Sequence, residues 1–198
     1  MKLFFTLLGL AACVTVFAGA RINIELDGRY KKAVFSEMEA NSSALKFVPQ
    51  TSKDGSTHYY SVRGTEDLTS EWKTYSFSFV CSVNSFAFGL SATTPKNQSI
   101  DYDDLKIEGG KVYNTSFEII NEDKEADGWR YYNPETICTG DDAADDKNYA
   151  RVSHSYANRC NFLLTPGEKV TVTFKARIGK ELKATEGKWT SSGRRKVK

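Results

Sequence analysis

Histidine is almost missing from this chain: there are two, His58 and His154, in 198 residues. Each falls in an alternating strand pattern. Neither belongs to a His-Glu-x-x-His run, and there is no Gly-x-Ser-x-Gly elbow and no P-loop, so the common signatures of zinc peptidases, serine hydrolases and nucleotide-binding enzymes are lacking. Cysteine is scarce too, four residues with no Cys-x-x-Cys spacing, which leaves zinc and dithiol redox readings without support. Neither sign of charge dominates. A formal charge of +2 implies no strong field for nucleic acid or anionic lipid. Outside the N-terminus no apolar run comes near the length of a membrane span. Helical periodicity is missing as well; Glu37–Leu45 is the best candidate for a helix, and a weak one.

The N-terminus is different in kind. Lys2, the apolar run Leu3–Phe17 and the small residues Ala18-Gly19-Ala20 read as a secretory signal over residues 1–20. Leu10-Ala11-Ala12-Cys13 also resembles a lipobox, which would make Cys13 a lipidated N-terminus, although the apolar run continues past it. The remaining chain, residues 21–198, is long enough for one ordinary domain with a real core.

Aromatic residues are plentiful, at 13%, and Tyr and Phe dominate them, so many must be interior. The chain is also full of period-2 alternation. Ile22–Leu26 alternates and ends in an Asp27-Gly28 turn. Ala33–Ser36, Leu45–Val48 and His58–Arg63 are further short strands. In Trp72–Val80, Tyr75, Phe77 and Phe79 fall on one face and Thr74, Ser76 and Ser78 on the other. Ser85–Leu90 and Ile100–Ile107 follow, and Gly109-Gly110 marks a break. In the second half Phe117–Ile120 and Asn148–His154 read as strands, and Val170, Val172, Phe174 and Ala176 alternate inward along the strongest one. About a dozen short strands separated by turn signals indicate an all-β sandwich or barrel.

Several of these runs resemble the carbohydrate-binding modules of the CBM4/9/16/22 type, which are galactose-binding-like jelly rolls. The opening of such a module is similar to Val112–Trp129 (VYNTSFEIINEDKEADGW), and its next strands to Asn148–His154 (NYARVSH) and Leu164–Arg177 (LTPGEKVTVTFKAR), with Val170 where an aromatic is usual. The closing half resembles Ser70–Phe79 (SEWKTYSFSF) and Ser99–Glu108 (SIDYDDLKIE). The halves are therefore inverted: residues 21–109 resemble the rear of a module and 110–198 its front. Either both make one closed, circularly permuted jelly-roll sandwich, or two modules of a tandem array are cut. A half alone would leave sheet edges bare, and this favours the single sandwich.

The resemblance implies a secreted, non-catalytic protein that binds polysaccharide, such as a β-glucan or xylan, as part of a larger glycan-degrading system. Flat rings stack on the C–H face of a pyranose while guanidinium groups, amides and carboxylates take its hydroxyls. The candidates are Trp129, Arg130, Tyr131 and Tyr132, with Tyr59 and Tyr60, of which one should point in and one out. Trp72 matches a structural position of the family, and so does core packing of Trp129. The resemblance also implies a structural calcium where first and last strands meet, at Glu118 with Asp103 or Asp104; calcium takes about six to eight oxygens. The acidic loop Thr139–Lys147 does not match an EF-hand and reads as a solvated loop. Cys138 and Cys160 flank one loop-and-strand unit and form the expected disulfide, leaving Cys81 a buried thiol. Asn41, Asn97 and Asn114 stand in glycosylation sequons, which matter in a eukaryotic secretory route. A small jelly-roll glycoside hydrolase or polysaccharide lyase is the enzymatic alternative, and a structural or adhesion surface protein the other. The chain offers many carboxylates, but sequence cannot pair them.

Overall fold

Alternation is what builds this molecule. Tyr75, Phe77 and Phe79 are buried along one strand, as are Val170, Val172, Phe174 and Ala176 along its neighbour. The computed structural model describes residues 19–95, 98–122, 126–130, 137–153 and 158–179. The strands among them are β1 (Arg21–Asp27), β2 (Phe35–Ala40), β3 (Leu45–Pro49), β4 (Tyr59–Gly64), β5 (Lys73–Cys81), β6 (Ser85–Thr93), β7 (Ser99–Glu108), β8 (Gly110–Val112), β9 (Ile137–Thr139), β10 (Asn148–Ser153), β11 (Asn158–Leu164) and β12 (Lys169–Ile178). They form two antiparallel sheets, β3-β4-β1-β6-β11-β8 and β2-β5-β12-β7-β10-β9, packed as an all-β sandwich consistent with a jelly roll.

The two halves of the chain interleave. Strand β12 pairs with β5 on one side and β7 on the other, and β11 pairs with β6. One core lies between the sheets. Phe86 stacks on Phe162 at 4.9 Å, Phe35 meets Phe79 and Phe86 edge-on, and Tyr75 stacks on Phe174 at 5.6 Å. Tyr102 crosses from the second sheet to the first. Its hydroxyl donates to the Ser91 carbonyl at 2.6 Å and accepts from the Asn23 amide at 3.2 Å. Gly19 and Ala20, read as the end of a signal, fold with the domain: Ala20 is buried and its carbonyl accepts from the Leu68 amide.

Three local readings change. Glu37–Leu45 is not helical; it is the end of β2, a turn and the start of β3. Its apolar residues Met38 and Ala40 lie two apart, which is strand spacing, and tertiary pairing with β5 settles the matter. Phe117–Ile120 is not a strand. Asn114 and Phe117 both have left-handed φ, 56° and 62°, closing a turn in which the Phe117 amide bonds the Asn114 carbonyl. Strand β11 carried no signal, because Leu163 breaks its alternation by facing solvent.

The outer face of the second sheet is closed. Asp101 is fully buried there, and its carboxylate takes hydrogen bonds from Arg151 at 2.7 and 2.9 Å and from Arg177 at 3.2 Å. Arg177 continues to Asp142 at 2.8 Å, lies over the Trp72 ring at 4.3 Å, and so ties the acidic loop to the sheet. Trp72 is structural in this sense: its indole N–H donates to the Asp142 carbonyl at 2.8 Å. Removing one partner of a buried, hydrogen-bonded ion cluster strands the others. Asp101→Ala is expected to cost roughly 3–5 kcal/mol in urea unfolding. A loss under about 1 kcal/mol, the range of exposed pairs, would show that this cluster does not hold the face together.

Candidate functional site

The outer face of the first sheet is open in part: Ser85, Ala87 and Arg159 keep some exposure, while Glu25, Ser61 and Ser91 are buried. Alternation on β1 sends Arg21, Asn23, Glu25 and Asp27 outward, and on β6 it sends Ser85, Ala87, Gly89 and Ser91 outward. Small residues in the middle of a sheet leave a trough between taller flanks. Two adjoining concavities lie along it, of about 370 and 210 Å³, and share Ala87 and Asn161. Asp27, Tyr30, Lys31 and Leu163 border the first; Gly128, Arg130 and Arg159 border the second.

A charged network spans the floor. Glu25, Gly89 and Arg159 stand in register on β1, β6 and β11. The absent side chain of Gly89 lets the outer two meet: Arg159 bonds Glu25 at 2.6 and 3.1 Å directly over the glycine. A Cβ there would sit 3.2 Å from Glu25 Oε2 and 3.3 Å from Arg159 Cγ. Arg29 grips Asp27 through two bonds of 2.9 and 2.6 Å and lies 4.8 Å above the Tyr59 ring. Burial works against ionising Asp27, yet the Arg29 hydrogen bonds prevail and hold its carboxyl below the usual range. Burial, aided by the neighbouring and hydrogen-bonded Glu25 carboxylate, pushes the Tyr59 phenol up to about 12, so it is neutral and a donor at ordinary pH. Tyr30 crowns the 3-10 turn Arg29–Lys31 and is 97% exposed.

The residues expected to bind sugar are distributed as follows. Tyr59 faces the trough and Tyr60 faces the core, against Phe35 at 5.8 Å. Tyr60 is therefore a packing residue. Trp129 is also interior: it packs on Phe117 at 5.2 Å and Phe88 at 6.4 Å, and its indole N–H donates to the Asn114 carbonyl at 3.0 Å. An indole whose N–H and faces are all engaged cannot stack on a ligand. Arg130 lies in the trough, where its backbone bridges Arg159. Tyr131 and Tyr132 lie outside the described residues. Sequence reasoning missed Tyr30, Asn161, Glu25, Asp27 and Arg159. The outward positions of β1 carried a signal, since Asn23, Glu25 and Asp27 alternate with Ile22, Ile24 and Leu26.

Cys138 and Cys160 stand as separate thiols. Cys160 is opposite Phe88 and faces the core from the first sheet, while Cys138 is opposite Tyr149 on an edge strand of the second. Directly opposed residues share a face, so the two sulfurs point to different sides of the second sheet. Asn114 of the sequon is buried, and its amide N–H groups donate to the Ile119 and Asp127 carbonyls, so that nitrogen is not open to a glycan.

The expected calcium ligands do not converge on a shared space. Asp103 accepts from the Asp104, Ala144 and Asp145 amides at 2.8, 2.7 and 3.0 Å. Glu118 accepts from the Lys147 and Asn148 amides and the Asn148 side chain. Asp104 pairs with Lys106 and Lys175. Among the described residues no group of three or more His, Cys, Asp or Glu side chains is assembled to hold a metal. As placed, these carboxylates do not fit calcium, because N–H donors and ammonium groups occupy the lone pairs a cation would take. They anchor the acidic loop instead. No protein-family model, curated protein or solved structure matches this chain.

Asp103 supplies a pH test of this anchoring. Burial raises its carboxyl to about 6, against the three amide donors. A raised folded-state value favours the native form when the group is protonated, so that contribution is full below about 3.8 and is lost as pH rises through about 6. Urea midpoints should therefore fall across this window more steeply in the wild-type protein than in Asp103→Asn. Parallel profiles would remove Asp103 from the account, and a rise on adding calcium at pH 7 would restore the metal.

Proposed function

We propose that this protein is a secreted, non-catalytic carbohydrate-binding sandwich of the CBM4/9/16/22 type, permuted in strand order, and that polysaccharide lies in the trough on the outer face of the first sheet. The observation that carries this reading is the pair of adjoining concavities that share Ala87 and Asn161, with Tyr30 standing free at one end. An elongated groove accepts a chain in passing, whereas a closed pocket accepts only its end. Tyr30 offers an uncovered ring for a pyranose face, and the Asn161 amide and the guanidinium groups offer donors for hydroxyls.

The proposal is binding without bond cleavage. Glu25 and Asp27 are the carboxylates nearest the trough, and each is committed to a guanidinium group. A glycosidase needs one carboxyl that holds a proton at working pH, and Asp27 is shifted the other way. Affinity should be modest, since each sugar hydroxyl must shed water on entry.

Affinity electrophoresis against soluble β-glucan, xylan and other glycans, with and without EDTA, tests the reading. Retardation without reducing-end or unsaturated product is expected. Tyr30→Ala should weaken it roughly threefold to tenfold, the scale of one lost aromatic contact, at unchanged Tm because Tyr30 packs on nothing. Product release would move the protein to the enzymes, and a flat panel would leave a structural or adhesion role.

A further inference from the structure

Arg130 and Arg159 are directly opposed across an antiparallel bridge. The Arg130 amide bonds the Arg159 carbonyl at 2.7 Å and the Arg159 amide bonds the Arg130 carbonyl at 2.9 Å. In such a pair both side chains project from the same face, and like charges placed so are destabilising. Both also border the smaller concavity of the trough. Arg159 is paired with Glu25 across Gly89. Among the described residues no carboxylate pairs with Arg130. Among the described residues the Lys31 ammonium, at the far concavity, bonds the neutral Asn84 and Ser85 side chains and no carboxylate. Asp27, the carboxylate bordering the trough, is neutralised by Arg29.

Among the described residues the trough therefore carries two cations that no carboxylate pairs, Arg130 and Lys31, one at each concavity. The opposed arginines make the excess local. A planar guanidinium matches an acid group in two parallel bonds, and an anion seated between two of them relieves their repulsion as well as bonding to both. A neutral glucan or xylan would bring Arg130 no counter-charge.

We propose that the ligand of this trough is an anionic glycan, with an acid group of the sugar chain seated on the Arg130–Arg159 pair. This deepens the carbohydrate-binding reading and rests on it. The shared chemistry is a sugar-borne acid, either the carboxylate of a uronate or a sulfate ester. Lys31 takes a second acid group, or a hydroxyl, further along the chain.

Isothermal titration of the full chain with four probes tests this: cellohexaose and xylohexaose as neutral chains, an oligogalacturonate for the carboxylate, and a carrageenan oligosaccharide for the sulfate. An acidic chain should bind more tightly than both neutral ones and weaken as salt is raised. Which acidic chain binds separates carboxylate from sulfate. Arg130→Gln should lose roughly tenfold or more toward the acidic chain, the loss of a hydrogen bond to a charged partner, and change little toward neutral ones. Arg130→Lys should recover part of the loss, since charge returns without the fork. Tm of Arg130→Gln should hold or rise, because a like-charge pair has been removed; a clear fall would make Arg130 a structural residue and overturn the inference. Equal binding of neutral and acidic chains, unmoved by Arg130→Gln, would overturn it while leaving the carbohydrate reading intact. Binding of none of the four would overturn both.

Discussion

Strand β12 holds the architecture together, because it is hydrogen-bonded to β5 along one edge and to β7 along the other. Both neighbours come from the first half of the chain and β12 comes from the second. Without it, β5 and β7 would each expose a row of unpaired amides and carbonyls, and Tyr75, Phe77 and Tyr102 would lose the Phe174 ring they pack on. Strand β11 does the same for β6 in the other sheet. An inverted order of the two halves, as the resemblance implies, is thus compatible with one core: a sandwich needs complementary strands in the right spatial order, and it is indifferent to which half the ribosome makes first. The Gly109 turn, at φ 77°, joins β7 to β8 where one half ends and the other begins.

With the core fixed, the outer faces divide. The second sheet turns Asp101, Arg151 and Arg177 outward, and the loop Gly140–Lys147 folds over them, held by Asp103, Glu118, Trp72 and Arg177. Burying these charges is tolerable only because each carboxylate meets donors. The first sheet has no such cover among the described residues. Its β6 carries Ala87 and Gly89 at the middle, its flanks carry charge, and its pairs leave a positive surplus at Arg130. The same alternation made both faces, and the loop decides which one stays free.

Period-2 alternation made the longer strands legible: β1, β5, β6, β7 and β12 each show one apolar face in the sequence. The single sandwich could be argued from edges alone. What failed were features set by partners rather than by neighbours in sequence. Strand β11 is a strand because β6 and β8 flank it, despite Leu163. Phe117 leaves the strand region because the Asn114 side chain bonds the Ile119 amide and carbonyl and tightens the turn. Cys138 and Cys160 looked like a pair by proximity along the chain, which says nothing about the face each occupies. The trough was illegible for the same reason. Glu25, Gly89 and Arg159 are far apart in sequence and meet only by register.

Trp129 shows how a core residue can still govern the candidate site. Its ring is wedged between Phe88 and Phe117, and its N–H is tied to the Asn114 carbonyl. The Asn114 side chain in turn grips the Ile119 and Asp127 backbones, so one amide and one indole help fix the residues that lead into Arg130. Position 130 follows at once, and strand geometry turns consecutive side chains to opposite faces. An indole driven into the core therefore points Arg130 out, beside Arg159 and into the trough. The Gly-Trp motif that suggested a sugar-stacking ring acts one residue further on: the tryptophan supplies the anchor, and in the proposed site the arginine it orients supplies the contact.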